Sequence, residues 1–316
     1  MVQKTVKKTG HIPSFSKIRW SISQAIDLLN FKNLANLTFI LILCFLGACD
    51  IANLEEALPA YIKIEKFELS TTPEQGAASE QITDAWIFVN DLSLGIYELP
   101  ATIPSLDVGN QNITIFPVIR ENGVRSTPII YPLYNRFETN IDLVVGETVT
   151  IQPTTTYVNN AIFELVEDFN STGHLLQGGN ANVVTIVDGI GEIQLGTEEA
   201  VEFTSTGTFI DLPTNSGLAI FMEFDYKTNI ELEVGLVGID PSPTNPVNAT
   251  VYNVVLCPIN RWNKVYVNMQ EILEVSQLPG YKLAFRASTI DTGCGNVNSA
   301  APAVSIDNVK FIRLTN

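Results

Sequence analysis

After residue 59 every long apolar segment of this chain has a period of two. YIKIEKFEL (Tyr61–Leu69) places apolar residues at alternate positions, as does ITDAWIFVND (Ile82–Asp91). NITIFPVI (Asn112–Ile119), NIDLVV (Asn140–Val145) and TVTIQP (Thr148–Pro153) continue the pattern. Alternation puts successive side chains on opposite faces of a strand, so one face is buried and the other wet. Turn chemistry separates the runs at Asp107–Asn110, Glu121-Asn122-Gly123 and Gly146-Glu147. No segment past residue 59 sustains the i, i+3, i+4, i+7 spacing of an amphipathic helix, and only NMQEILEVSQL (Asn268–Leu278) holds a plausible helical turn. An all-β fold follows.

The Thr- and Asn-rich stretch PTTTYVNN (Pro153–Asn160) divides the alternating region. Residues 59–153, with some seven short strands, predict an immunoglobulin-like sandwich. Residues 154–160 read as a linker. Residues 161–316, with eight or more antiparallel strands, predict a jelly-roll sandwich.

The most apolar run lies before this region and ends in a cysteine followed by acids: LTFILILCFLGACDIANLEEA (Leu37–Ala57). Its core, Leu37–Leu46, is ten residues, whereas a helix needs roughly 20 to cross a bilayer. Lys4, Lys7, Lys8, Lys17, Arg19 and Lys32 precede it, with Asp27 the only acid. A basic segment, a short apolar core and small residues read as a secretory signal over 1–48 with a long basic n-region. Leu46-Gly47-Ala48-Cys49 resembles a bacterial lipobox, which implies cleavage before Cys49 and lipid on its thiol. A short anchor helix that happens to contain Cys49 is the alternative. Residues 49–58 would then be the lipidated cysteine and an acidic tether. Several acyl chains hold a membrane far more firmly than one.

Charge narrows the partners. Residues 50–316 hold 12 Lys and Arg (18 less 6) and 33 Asp and Glu (34 less 1), a formal charge of −21. Such a surface repels phosphate backbones, so nucleic acid is excluded as a partner, while cations and neutral glycans remain. Solubility alone is the plainer reading of the acidity. Cys257 and Cys294 remain after the signal, and two cysteines in an exported chain predict a disulfide, against the alternative of two separate buried thiols.

Glu167-Asp168-Phe169 at the end of the first strand of the second region, RWNKVYVN (Arg261–Asn268) and SIDNVKFIRL (Ser305–Leu314) resemble jelly-roll carbohydrate-binding modules and galactose-binding-like domains. The whole layout is similar to surface lipoproteins of Bacteroidota. The resemblance implies a structural calcium joining Glu167 or Asp168 to Asp307, with an exposed acid pair and a turn-closing Asp307 as the alternative. It also implies aromatic platforms for sugar rings. Trp262 and Tyr266 share a strand face and are the candidates, with Tyr252 as a further one. Trp86, mid-strand beside Ile87 and Val89, reads as core.

FMEFDYKTNIELEVGL (Phe221–Leu236) carries the densest charge. Met222, Phe224 and Tyr226 fall on one face, Glu223, Asp225 and Lys227 on the other. Paired as a hairpin with the next strand, these would gather Glu223, Asp225, Glu231 and Glu233 on one surface. Glu223 and Asp225 are candidate ligand contacts. The ExDxxE pattern of jelly-roll glycoside hydrolases is incomplete, because Thr228 stands where its final glutamate belongs. Hydrolysis needs both carboxylates flanking the bond. The one histidine past the signal, His174, lies in the loop-like STGHLLQGGN, with no nucleophile motif nearby. The expectation is a non-enzymatic outer-membrane lipoprotein at the cell surface with a binding domain suited to glycans. Asp50 after Cys49 leaves inner-membrane retention as an alternative, against which Glu55-Glu56 resembles the export tags of Bacteroidota surface lipoproteins. The alternatives are a structural or adaptor subunit binding only envelope proteins and, third, a hydrolase.

Overall fold

A computed structural model of the chain describes residues 38–39, 57–178, 183–214, 217–240, 247–295 and 301–315. The signal segment, apart from residues 38–39, lies outside the described residues, as do Cys49 and the tether up to residue 56. No helix among the described residues is long and apolar enough to cross a membrane. The chain divides into two units, Met1–Leu58 and Pro59–Asn316, and all the β structure belongs to the second.

That unit is all-β, built from several mainly antiparallel sheets. Its first half contributes β1 (Ala60–Ile64), β2 (Glu68–Ser70), β3 (Asp84–Val89), β4 (Leu92–Glu98), β5 (Ala101–Ser105), β6 (Gly109–Arg120), β7 (Pro128–Ile130), β8 (Phe137–Leu143), β9 (Thr148–Ile151) and β10 (Thr154–Thr156). One sheet runs β4-β3-β6-β7, with β8 also paired to β6. Opposite it lie β5-β1-β9 and the pair β10-β2, in which β1–β9 and β2–β10 are parallel.

The second half contributes β11 (Ala161–Glu167), β12 (Leu176–Gly178), β13 (Thr185–Val187), β14 (Ile190–Gln194), β15 (Ala200–Ser205), β16 (Phe209–Ile210), β17 (Ile220–Thr228), β18 (Glu231–Asp240), β19 (Val247–Leu256) and β20 (Ile259–Asn268). Helix α1 (Gln270–Ser276) follows, where the one helical turn is expected, and β21 (Gly280–Ser288) and β22 (Ala303–Leu314) end the unit. One sheet is β13-β14-β22-β17-β20 with β11 on β22, and the other is β12-β15-β21-β18-β19 with β16 on β21.

These last two sheets face each other over a core that includes Met222, Phe224, Tyr226, Leu232, Val234, Phe285 and Phe311. A second core lies inside the first half, around Ile62, Ile87, Ile115 and Tyr131, and it takes in Phe221, Tyr266 and Ile312 from the second half. The β17-β20-β22 surface is therefore covered on both faces. Its inner residues fill the sandwich and its outer residues close the neighbouring core.

The alternation along β17 is as expected, but the hairpin is not. β17 pairs with β20 and β22, whereas β18 pairs with β19 and β21 in the opposite sheet. Thr228-Asn229-Ile230 arches across the sandwich, held by the Ile230 amide donating to Thr228 Oγ1 at 3.1 Å. Alternation decides which residues share a face, not which strand lies alongside, so Glu231 and Glu233 stand apart from Glu223 and Asp225. Glu231 instead braces a loop, accepting from the amides of Thr292 and Cys294 at 3.0 and 3.1 Å. Trp86 also departs from expectation. The buried face of β3 is Ala85, Ile87 and Val89, and Trp86 lies half-exposed on the outer face with Phe88, ring centroids 5.3 Å apart.

Candidate functional site

Cys257 and Cys294 are joined, with Cα atoms 5.3 Å apart. The bond ties the turn between β19 and β20 to the loop after β21, the same loop that Glu231 holds.

Glu223 and Tyr266 do not form a surface site. Both are buried, on the outer face of the β17-β20-β22 sheet where the first half covers it. The Tyr131 hydroxyl donates to Glu223 Oε1 at 2.6 Å and the Tyr157 hydroxyl to Oε2 at 2.9 Å. The Lys264 ammonium stands 3.2 Å from Oε2, an ion pair without hydrogen-bond alignment. Lys310 donates to the Ala77 carbonyl at 2.7 Å and to Tyr157 at 3.3 Å. Burial brings the Lys310 ammonium down to about 8. Burial, and after it the Glu223 charge, pushes the Tyr131, Tyr157 and Tyr266 hydroxyls well above their ordinary range. These groups couple the two halves of the unit and offer nothing to a ligand.

Trp262 and Asp225 do come together. They line an open groove of about 400 Å3 with Glu80, Gln81, Asn263 and Asp307. β20 is an edge strand, so Trp262 at its start projects past the covered surface and is 45% exposed, while Tyr266 on the same strand face is 1% exposed. The loop before β3 supplies the opposite wall. Gln81 is locked to the edge strand, its Nε2 donating to Asn263 Oδ1 at 3.0 Å and its Oε1 accepting from the Lys264 amide at 2.9 Å.

Asp225 and Asp307 are opposite each other in the β17–β22 ladder, beside a register shift between Glu223 and Asp225. Bulges of this kind re-aim side chains at sheet positions that carry function. Asp225 is fixed by the Ser79 hydroxyl on Oδ1 and the Asn308 amide on Oδ2, both at 2.7 Å. Desolvation, then the charges of Asp225, Asp168 and Glu167, raise the Asp307 carboxyl from 3.8 to about 6 despite its bond from the Asn308 amide. Desolvation likewise raises Glu80.

A raised carboxyl means that the folded state keeps its proton where the unfolded chain has lost it. The contribution of Asp307 to stability is then full below about pH 4 and is lost as pH rises through about 6. Asp307→Asn should raise stability at pH 7 by about 1 kcal/mol, after allowing for screening of a half-exposed group, and should leave it unchanged at pH 4. Thermal melts at the two pH values measure this. Equal shifts at both would show that Asp307 is not charged against its surroundings.

The remaining expected site residues lie as follows. Glu167 is buried and caps the loop after β11, accepting from the Phe169 amide at 2.7 Å and from the Leu175 amide. Asp168 is held below its ordinary range by hydrogen bonds from Asn170. Among the described residues, no group of three or more His, Cys, Asp or Glu is arranged to hold a metal. Tyr252 is half-buried on β19 in the other sheet, where burial and Glu202 raise its hydroxyl. His174 lies in a loop, its ring 6.4 Å from that of Phe169. A larger open depression of about 870 Å3 around Glu202, Thr204 and Arg286 has, among the described residues, buried Phe203 as its one aromatic.

Sequence reasoning missed Glu80, Gln81 and Asn263. Glu80 and Gln81 lie in the loop before β3, where no periodicity marks them, and Asn263 lies within β20, where alternation gives it no chemical role. Only the closure of the first half on β20 brings the loop residues to Trp262.

No family model matches the chain, and no curated protein matches it. Solved structures similar to it include a family 29 carbohydrate-binding module, 16% identical, covering 48% of this chain and 88% of that one at a TM-score of 0.32. A variant family 29 module complexed with cellulohexaose is 15% identical, covering 49% and 93% at a TM-score of 0.33. Another, complexed with mannohexaose, is 15% identical, covering 48% and 92% at 0.33.

Proposed function

We propose that this protein is a lipid-anchored protein of the bacterial outer membrane that binds glycan in the Trp262 groove without cleaving it. The observation that carries this reading is Trp262 itself. A large aromatic surface stands half-exposed beside fixed polar side chains in a concave site. The apolar face of a pyranose stacks on an indole, while its hydroxyls need acceptors and amides at the rim, which Asp225, Gln81 and Asn263 supply. These groups are held by hydrogen bonds before any ligand arrives, which lowers the ordering cost of binding.

A glycan array probed with the full chain in detergent tests the reading. Trp262→Ala should lower binding to the retained glycans by at least about tenfold, and Tyr252→Ala should not. Binding indifferent to Trp262→Ala would leave the adaptor reading, in which the chain contacts only envelope proteins. One observation favours hydrolysis as a second reading: Asp225 and Asp307 lie side by side in the groove. Both Asp225 oxygens already accept hydrogen bonds, which suits a fixed acceptor more than a nucleophile. New reducing ends appearing in a bound glycan would favour catalysis.

The anchor rests on the lipobox-like Leu46–Cys49. Cys49→Ala should abolish palmitate labelling and move the protein out of the membrane fraction. Retained labelling would refute it.

A further inference from the structure

We infer that the glycan taken by this groove is acidic, with a uronate carboxylate seated against Arg261 and Arg125 while a neighbouring ring stacks on Trp262. This rests on reading the Trp262 groove as a glycan site, and it names the class of glycan. Next to the groove lies a second cavity of about 270 Å3, and the two share Gln81, Asn263 and Lys264 as a common wall. Arg120, Arg125, Arg261 and Lys264 line that second cavity. They are four of the 12 basic residues in a segment that carries 33 acids. An acidic protein has thus gathered a third of its cations around one small cavity adjoining its exposed tryptophan.

The four cations are not equally engaged. Lys264 is committed to Glu223 beneath the cavity floor, and Arg120 to Asp84 at 2.8 Å and Thr83 at 3.2 Å. These two fix the walls. Arg125 is 86% exposed and meets Glu98 only loosely, at 3.7 Å. Arg261 is exposed and has no ion-pair partner among the described residues. Two guanidinium groups are therefore available at the mouth, and Glu98 is the one acid on this cavity's lining. Glu80, Asp225 and Asp307 line the Trp262 groove beside it, so the carboxylate seat is the arginine cavity. A guanidinium matches a carboxylate through paired N–H donors, a geometry a neutral hydroxyl cannot use as fully. Glu98 is a weak competitor, because an exposed pair at that separation contributes little. Trp262 lines the groove and Arg261 the adjoining cavity, so a ligand crossing their shared wall of Gln81 and Asn263 reaches both. That span calls for at least two sugar units.

The test is titration calorimetry of the full chain in detergent with tetragalacturonate and with its fully methyl-esterified form. The ester keeps the rings and removes the charges. The free acid should bind at least about tenfold more tightly, and its advantage should shrink as salt rises. Arg125→Gln with Arg261→Gln should bring the two ligands within about twofold, and both exposed positions tolerate the change. Trp262→Ala should weaken both ligands together. Equal binding of acid and ester, still dependent on Trp262, would overturn the inference and leave the glycan groove standing. So would a preference for the acid that survives loss of both arginines. Failure of both ligands, together with no effect of Trp262→Ala on any arrayed glycan, would remove the groove reading and this inference with it.

Discussion

Replacing Glu223 by alanine should destabilise the protein by about 3–5 kcal/mol, the largest effect expected of any single change. The carboxylate is fully buried and takes two tyrosine hydroxyls and one ammonium at once. Tyr131 and Tyr157 come from the first half, and Lys264 comes from β20 in the second. Removing the acceptor strands two hydroxyls and a buried positive charge in a region too enclosed for water to replace it. The loss falls where the halves meet, so unfolding should become less cooperative, with the first half opening earlier. Urea denaturation followed by tyrosine fluorescence and by far-UV circular dichroism should then give separated transitions. Glu223→Gln keeps the shape and an acceptor oxygen but leaves Lys264 unpaired, so it should cost less than alanine while remaining destabilising. A stability change below about 1 kcal/mol for Glu223→Ala would mean that the network does not hold the halves together.

Loss of the Cys257–Cys294 bond should cost about 3–4 kcal/mol. The two positions are 37 residues apart, and closing a loop of that length removes about this much free energy from the unfolded chain in the entropic account. The double change to serine removes the covalent tie from the loop after β21 and leaves it to hydrogen bonds, among them those from the backbone amides at 292 and 294 to Glu231. Chemical denaturation of the double serine variant, compared with the oxidised parent, gives the difference directly. Reduction of the parent should reproduce most of it. Identical midpoints for the reduced and oxidised parent would show that the bond constrains little that the fold does not already hold.

The groove shows where the sequence was readable and where it was not. Trp262 was named from the resemblance to sugar-binding modules and Asp225 from strand alternation, and the two line one groove. Glu223 and Tyr266 were named by the same reasoning and are buried. Nothing local distinguishes Glu223 from Asp225, two residues apart on one face of one strand. What separates them is that the first half buries Glu223 completely, whereas at Asp225 only the loop before β3 reaches the strand, through Ser79, and the side chain stays part-exposed. The cation cavity was invisible for a similar reason. Arg120 and Arg125 flank the turn after β6, and Arg261 lies some 140 residues later in the chain.

By itself the sequence determined that the chain past residue 59 is all-β, which residues of each strand share a face, and that two cysteines were available to pair. These are properties of neighbours along a chain, set by a side-chain period of two and by turn residues. The tertiary structure decided which strands lie side by side, that β17 and β18 belong to opposite sheets, and that the outer face of the β17-β20-β22 surface is mostly interior. Those depend on contacts between residues far apart in sequence, where hydrophobic burial is set by the area that meets and not by the order of residues. An acid on this face is a structural hub at Glu223, where that cover is complete, and a groove residue at Asp225, where it thins to one loop.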